Sequence, residues 1–203
     1  MNQEIINISL GDLEGLTEVL LDHIRQAHFE PDVIVYLETG ARLLAVHFHR
    51  RTGIALVPLT IQRPGNSTKF RIVAVLGILP LSLQNLLRRI ERQFVSRRPN
   101  KRKITKAPEI DFFRKKVLIL DDAADSGESL FLAKHWILER GGVEAEVKSA
   151  TIAVTQTGAK EVVDFWIYHQ LCRFPWSSDS REREEYLRLY EQFDPAKLAT
   201  SSF

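Results

Sequence analysis

The sequence predicts an α/β protein: a mostly parallel, twisted sheet flanked by helices, with a small hood or inserted lobe. Three observations lead there. Short apolar runs at Val33 to Leu37, Ile54 to Ile61, Val117 to Leu120 and Glu146 to Val154 read as strands. They alternate with segments of helical periodicity at Leu13 to Ile24, Ala41 to Arg51 and Gly127 to Glu139, an alternation that favours a doubly wound sheet. Glycine and proline punctuate the joints: Pro31, Thr39-Gly40, Gly53, Arg63-Pro64-Gly65-Asn66-Ser67 and Gly141-Gly142.

Each helix has a start or a stop. Leu13, Leu16, Val19, Leu20 and Ile24 recur on one face, with Ser9 or Asp12 available as a cap. The second helix ends at Gly53 and the third at Gly141-Gly142. Between them lies the least regular stretch. There Phe70 to Leu76 is read as a strand, Leu81 to Phe94 as a helix and Ser96 to Pro108 as a basic loop without apolar periodicity. The expected organisation is one domain over residues 1–203, with 63–116 a basic insertion or flexible loop and 163–203 a C-terminal hood segment.

Composition narrows the class. Of 203 residues, 44% are hydrophobic and 27% charged, the balance of a folded chain and not of a disordered one. The apolar run Ile72 to Leu87 is broken by Gly77, Pro80, Ser82, Gln84 and Asn85, and falls short of the roughly 18 to 20 apolar residues that span a bilayer. No basic region followed by an apolar stretch opens the chain, so a cytoplasmic location is expected. A single cysteine, Cys172, can form neither an internal disulfide nor a multi-cysteine zinc site. The net charge is only +2, yet Arg88 to Lys116 holds twelve Lys or Arg against Glu91, Glu109 and Asp111, a local +9. Such a block attracts polyanions or keeps a loop solvated. With Phe94 the one aromatic inside Arg88 to Lys106, stacking platforms for nucleic acid are sparse, so nucleic-acid binding is not expected.

The chemistry is concentrated in Val117-Leu118-Ile119-Leu120-Asp121-Asp122-Ala123-Ala124-Asp125-Ser126-Gly127-Glu128-Ser129. A buried apolar strand delivers two carboxylates to the sheet edge where ligands bind in this architecture. The loop that follows has small residues, a glycine that permits close backbone approach and two hydroxyls. It precedes a helix whose N-terminal amides favour a phosphate. Asp121 and Asp122 suit the vicinal hydroxyls of a ribose or a magnesium shell. An acid pair beside a phosphate loop indicates a phosphorylated sugar. The competing reading is a strand-end acid pair that holds magnesium, as in receiver-type signalling domains, which lack the Ser-Gly-x-Ser loop at this offset.

The same stretch resembles the phosphoribosyl pyrophosphate signature of type I phosphoribosyltransferases: four apolar residues, two acids and an Asp-Thr-Gly-x-Thr loop, here Asp125-Ser126-Gly127-Glu128-Ser129. The resemblance implies that Ala124 and residues 125 to 129 hold the 5-phosphate. It also implies that Asp121 and Asp122 contact the ribose hydroxyls and Mg2+, with phosphoribosyl pyrophosphate as donor and a nucleobase as acceptor. Asp32 to Ala41 is similar to the family's first strand and pyrophosphate loop, with Thr39 and Gly40 as binders. Thr39 stands where the family often has Arg or Lys, and Arg42 is a possible substitute.

Val163-Asp164-Phe165-Trp166 and Arg173-Phe174-Pro175-Trp176 are similar to hood elements of xanthine, guanine and hypoxanthine phosphoribosyltransferases. Phe174 and Trp176 become candidate base contacts beside Trp166. Leu171 falls on the stacking position and Thr155 on that of a purine-reading Lys. Asp125 matches the acidic residue of 6-oxopurine enzymes and is the catalytic candidate, as general base; it can equally cap the helix that follows. The implied function is phosphoribosyl transfer to a 6-oxopurine in purine salvage, with release of pyrophosphate and no covalent nucleophile. Two alternatives stand beside it: a related transferase with a different acceptor, and a non-catalytic, nucleotide-sensing or RNA-binding regulator. Arg97 to Lys106 is the candidate lid, and Leu76 to Leu87 a candidate interface for a homo-oligomer, expected as a dimer.

Overall fold

Val33 to Leu37 and Val117 to Leu120 are buried on both faces, as strands of a sheet covered from both sides must be. In the computed structural model, which describes residues 5–38, 40–62, 102–141 and 144–192, they are the two central strands. In chain order the elements are β1 (Ile6–Asn7), α1 (Asp12–Gln26), β2 (Val33–Leu37), α2 (Arg42–Thr52), β3 (Ala55–Gln62) and β4 (Lys103–Lys106). There follow β5 (Lys116–Ala124), α3 (Glu128–Gly141), β6 (Glu146–Val154), β7 (Phe165–Tyr168), β8 (Cys172–Arg173) and α4 (Arg183–Gln192).

The main sheet runs β4-β3-β2-β5-β6-β7, all parallel except β4, which pairs antiparallel with β3. Among the five parallel strands the order is second, first, third, fourth, fifth, so the winding reverses between β2 and β5. Val33 pairs with Val117 and Tyr36 with Leu120, which brings the carboxyl ends of both strands to that reversal. Ligands of open α/β sheets bind in the crevice outside such a point. A separate two-stranded sheet joins β1 to β8, tying Ile6 and Asn7 to Cys172 and Arg173.

Strand pleating sorts the side chains. Ile34, Tyr36, Leu118 and Leu120 face α1 and α2, together with Phe174 and Tyr186 from the carboxyl end. Val33, Val35, Val117 and Ile119 face the opposite way, onto Leu130, Ala133, Trp136 and Ile137 of α3. The α1 stripe Leu13, Leu16, Leu20 and Ile24 is buried as its periodicity predicts, whereas Val19 stays 40% exposed at its edge. Gly53 closes α2 in the left-handed conformation, φ 72°.

The structure differs from the sequence reading in three places. Lys103–Lys106, inside the segment read as an irregular loop, is a strand, because β3 offers it an antiparallel edge. The strand that ends in the acid pair extends to Ala124, since β6 continues beside it to Val154. β1 and α4 add elements that apolar patterning did not reveal. The strand read at Phe70 to Leu76, the helix at Leu81 to Phe94, the interface at Leu76 to Leu87, residues 97–101 of the lid and Thr39 lie outside the described residues.

Leu118 is fully buried between Ile34 and Lys148 in the centre of the sheet. Leu118→Ala is expected to lower unfolding free energy by about 2–5 kcal/mol in urea titration, the cost of a cavity in a core that cannot collapse. A loss below about 1 kcal/mol would mean the sheet relaxes around it.

Candidate active site

The acid pair occupies consecutive positions of β5 and therefore opposite faces of the sheet. Asp122 shares the face of Leu118 and Leu120, and Asp121 that of Val117 and Ile119. The Asp122 carboxylate is held on two sides. Its Oδ1 accepts the Ala123 amide at 2.9 Å and its Oδ2 accepts the Trp176 indole N–H at 2.5 Å. It also lies against the turn after β2: a Cβ on Gly40 would stand 2.3 Å from Asp122 Oδ2. No side chain fits there, which explains a glycine at the strand-to-helix turn in steric terms.

Asp121 is buried, and its Oδ1 accepts the Asp122 amide at 2.9 Å. Burial pushes its carboxyl well above the ordinary value of 3.8, and the neighbouring Asp122 charge adds to this, while the Arg102 guanidinium opposes it. Two adjacent carboxylates are the hard-oxygen donors that suit magnesium, which characteristically takes one or two protein carboxylates and completes its shell with water and substrate phosphate. Among the described residues no group of three or more His, Cys, Asp or Glu gathers into a metal cluster. The pair is thus the donor set on offer.

Beyond Ala124 the chain bends through Asp125, Ser126 and Gly127 into α3. Gly127 has φ 76°, and a Cβ there would come within 2.2 Å of Val162 Cγ2, so geometry and space both require glycine. The Ser126 hydroxyl accepts the Glu128 amide at 3.4 Å, and Ser129 is buried in the first turn. Arg102 reaches this loop from β4. Its guanidinium donates to the Ser129 hydroxyl and lies 3.4 Å from Glu128 Oε2, and its amide donates to Glu128 Oε1 at 3.3 Å. Sequence reasoning gave Arg102 a place only in the lid and in the basic segment of the RNA-binding alternative, not at the phosphate loop. The signal that could have found it was Ile104, the apolar residue of a short edge strand.

On the far side of the loop, Asp125 Oδ1 accepts the Thr155 hydroxyl at 2.6 Å and the Gln156 side-chain amide at 2.8 Å. Thr155 follows β6, and its amide donates to Ala124 O at 3.0 Å, which sets the two strand ends level. Leu171 is committed through its carbonyl to Ile6 at 3.0 Å, and Trp166 is half-buried on β7. Phe174 is buried and stacks on Trp176 with ring centroids 4.9 Å apart.

Arg42 is tied down. It pairs with Glu38 at 2.7 Å, donates to Tyr190 O at 3.3 Å and lies 3.7 Å over the Tyr190 ring. Burial acts to raise the Glu38 carboxyl, but the Thr60 hydroxyl at 2.6 Å and Arg42 outweigh it and hold the group below its usual range.

Comparison with known proteins agrees with this geometry. The phosphoribosyl transferase domain family matches residues 3–178. Among solved structures, the chain resembles a purine phosphoribosyltransferase from Pyrococcus horikoshii, with a TM-score of 0.59 at 20% identity over 85% of this chain and 93% of that one. It is similar also to the xanthine-guanine-hypoxanthine phosphoribosyltransferase of Helicobacter pylori, with a TM-score of 0.60 at 15% identity over 95% and 100%. A hypothetical protein from Neisseria gonorrhoeae with bound ppGpp gives 0.60 at 15% identity over 95% and 98%. No curated protein matches the sequence. The chain belongs to the phosphoribosyl transferase domain family. It is accordingly a phosphoribosyltransferase, an enzyme class whose substrates are phosphoribosyl pyrophosphate and a base.

Because burial raises Asp121, the folded chain holds its proton more readily than the unfolded chain does. The associated stability is fully present below about pH 3.8 and is lost as pH rises through the higher folded value. Asp121→Asn, neutral throughout, is expected to gain stability relative to the parent as pH rises above the ordinary carboxyl value of 3.8, read from urea midpoints. A difference independent of pH would set burial aside as the cause. Gly127→Ala is expected to cost about 1–3 kcal/mol through its positive φ, on top of the clash with Val162, in thermal unfolding.

Proposed function

We propose that the enzyme transfers the phosphoribosyl group of phosphoribosyl pyrophosphate to a 6-oxopurine, as in purine salvage, in the cytoplasm. The observation on which this rests is the placement of Asp125. It lies in the loop assigned to the 5-phosphate and is joined through Thr155 and Gln156 to the end of β6, the side on which this reading puts the base.

In this reading residues 124 to 129 hold the 5-phosphate by backbone amides and hydroxyls at the head of α3. Asp122 and Asp121 accept the ribose hydroxyls and would hold Mg2+, which when bound neutralises the departing pyrophosphate. Thr39 and Gly40 are assigned to the pyrophosphate, although the Gly40 and Ala41 amides of this turn donate back to Leu37 O at 3.5 and 3.1 Å. Arg42, engaged by Glu38 and Tyr190, is not the substitute cation in this arrangement. As the C1–O bond to pyrophosphate breaks, a ring nitrogen of the base forms the C1–N bond and its proton passes to Asp125. Thr155 and Gln156 occupy Asp125 Oδ1, which leaves Oδ2 to receive that proton. Positioning and charge stabilisation then account for the rate without a nucleophile on the protein.

One observation favours a different acceptor. The Thr155 hydroxyl, at the position aligned with the family's purine-reading Lys, is spent on Asp125 and presents no cation to a 6-oxo group. A pyrophosphate-release assay over guanine, hypoxanthine, xanthine, adenine, uracil and orotate decides between the two. Activity confined to the first three is expected, whereas a response to another base alone selects the second reading and silence defeats both. Asp125→Asn is expected to lower kcat about 10²-fold on the active base while leaving donor KM within about twofold.

A further inference from the structure

Trp176 is fixed and it touches an acid. Its ring stacks on Phe174 at 4.9 Å with an interplanar angle of 9°, and packs at 5.4 Å against Tyr186 of α4. Tyr186 packs in turn against Tyr190 at 5.7 Å, and Tyr190 carries the Arg42 guanidinium on its face. Arg42 closes the circuit through Glu38 at the end of β2, two residues from Gly40. Phe174 and Tyr186 are each about 5% exposed, so the indole stands between two buried rings and has one orientation. Its N–H points at Asp122 Oδ2, the oxygen that also abuts Gly40.

From this geometry we infer that Trp176 is a positioning residue: its indole N–H fixes the Asp122 carboxylate for the ribose hydroxyls of the donor, and Trp176 does not serve as a base-stacking platform. The inference rests on the reading that Asp122 accepts those hydroxyls. The Ala123 amide and the Trp176 indole each take one lone pair, one on either oxygen. Each carboxylate oxygen accepts at about two sites, so both retain a site for a ligand hydroxyl while the rotamer is pinned. Without the indole the carboxylate is free to turn, and ordering it is charged against donor binding. The effect falls on donor affinity and not on the acceptor.

The test compares Trp176→Phe, which keeps the stack and removes the N–H, with Asp122→Asn and the double variant, after thermal melting confirms that each folds. 3-Benzothienylalanine at position 176 keeps the ring shape without the N–H and serves where Phe unfolds the chain. Titration with ribose 5-phosphate gives affinity, and steady-state assays give donor and acceptor KM. Trp176→Phe is expected to weaken ribose 5-phosphate binding and raise donor KM about tenfold, with kcat and acceptor KM within about twofold. The double variant is expected to lose no more than Asp122→Asn alone, because the indole acts through that carboxylate. Additive losses, tighter ribose 5-phosphate binding on removal of the N–H, or a rise confined to acceptor KM would each overturn the inference. If Asp122→Asn is harmful and Trp176→Phe is harmless, the positioning role alone falls. If Asp122→Asn is itself harmless, the ribose reading falls and takes the inference with it.

Discussion

The close approach of Gly40 to the Asp122 carboxylate is the constraint on which the site depends. A Cβ at position 40 would stand 2.3 Å from Asp122 Oδ2, so with the carboxylate held in this place the turn after β2 meets it over glycine. They meet because the winding of the sheet reverses between those two strands and the register from Val33↔Val117 to Tyr36↔Leu120 brings their ends level. Diverging helices leave a crevice at that reversal. The proposed ribose site follows from a carboxylate on one lip of that crevice and a turn without a side chain at Gly40 on the other.

Placing two acids side by side in a strand separates their environments, because the pleat turns them to opposite faces. Asp122 stands on the α2 and hood side, where an amide and an indole N–H satisfy it. Asp121 goes to the α3 side and is buried among apolar residues with Arg102 the nearby cation, so its ionised form is disfavoured in the free protein. Burial of an acid without a full set of donors is costly unless a ligand supplies them. The two acids therefore differ in the donors that meet them: the Asp122 amide for Asp121, an amide and an indole N–H for Asp122.

What the sequence disclosed was local. Val117 to Ser129 could be read in one pass because strand, acid pair, loop and helix start are contiguous, and each residue type answers to its own backbone position. β2 was placed residue for residue because burial on both faces leaves an uninterrupted apolar run, and β6 because an apolar, β-branched stretch follows the stop at Gly141-Gly142. The missed features are all set by partners distant in sequence. Lys103–Lys106 becomes a strand through the edge that β3 lends it, Arg102 gains meaning from Ser129, and Arg42 is taken by Glu38 and Tyr190. Aromatic spacing in the carboxyl segment could not distinguish a base platform from a packed column, since Phe174-Pro175-Trp176 is compatible with either until α4 is seen to lie against it.

The hood and the acceptor end can then be separated by what each side chain has left to give. Trp176 has one hydrogen-bond donor and it is spent on Asp122, so under the positioning role inferred for it the indole acts on the donor side. Thr155 and Gln156 converge on a single oxygen of Asp125, fixing that carboxylate as firmly as Trp176 fixes Asp122. Under the proposed function these two carboxylates would bracket the sugar, and side chains held in advance are the condition under which positioning contributes most to rate. Gln156 is half of that clamp and still has an amide oxygen and a second N–H, which under the proposed function would make the end of β6 the side that meets the acceptor.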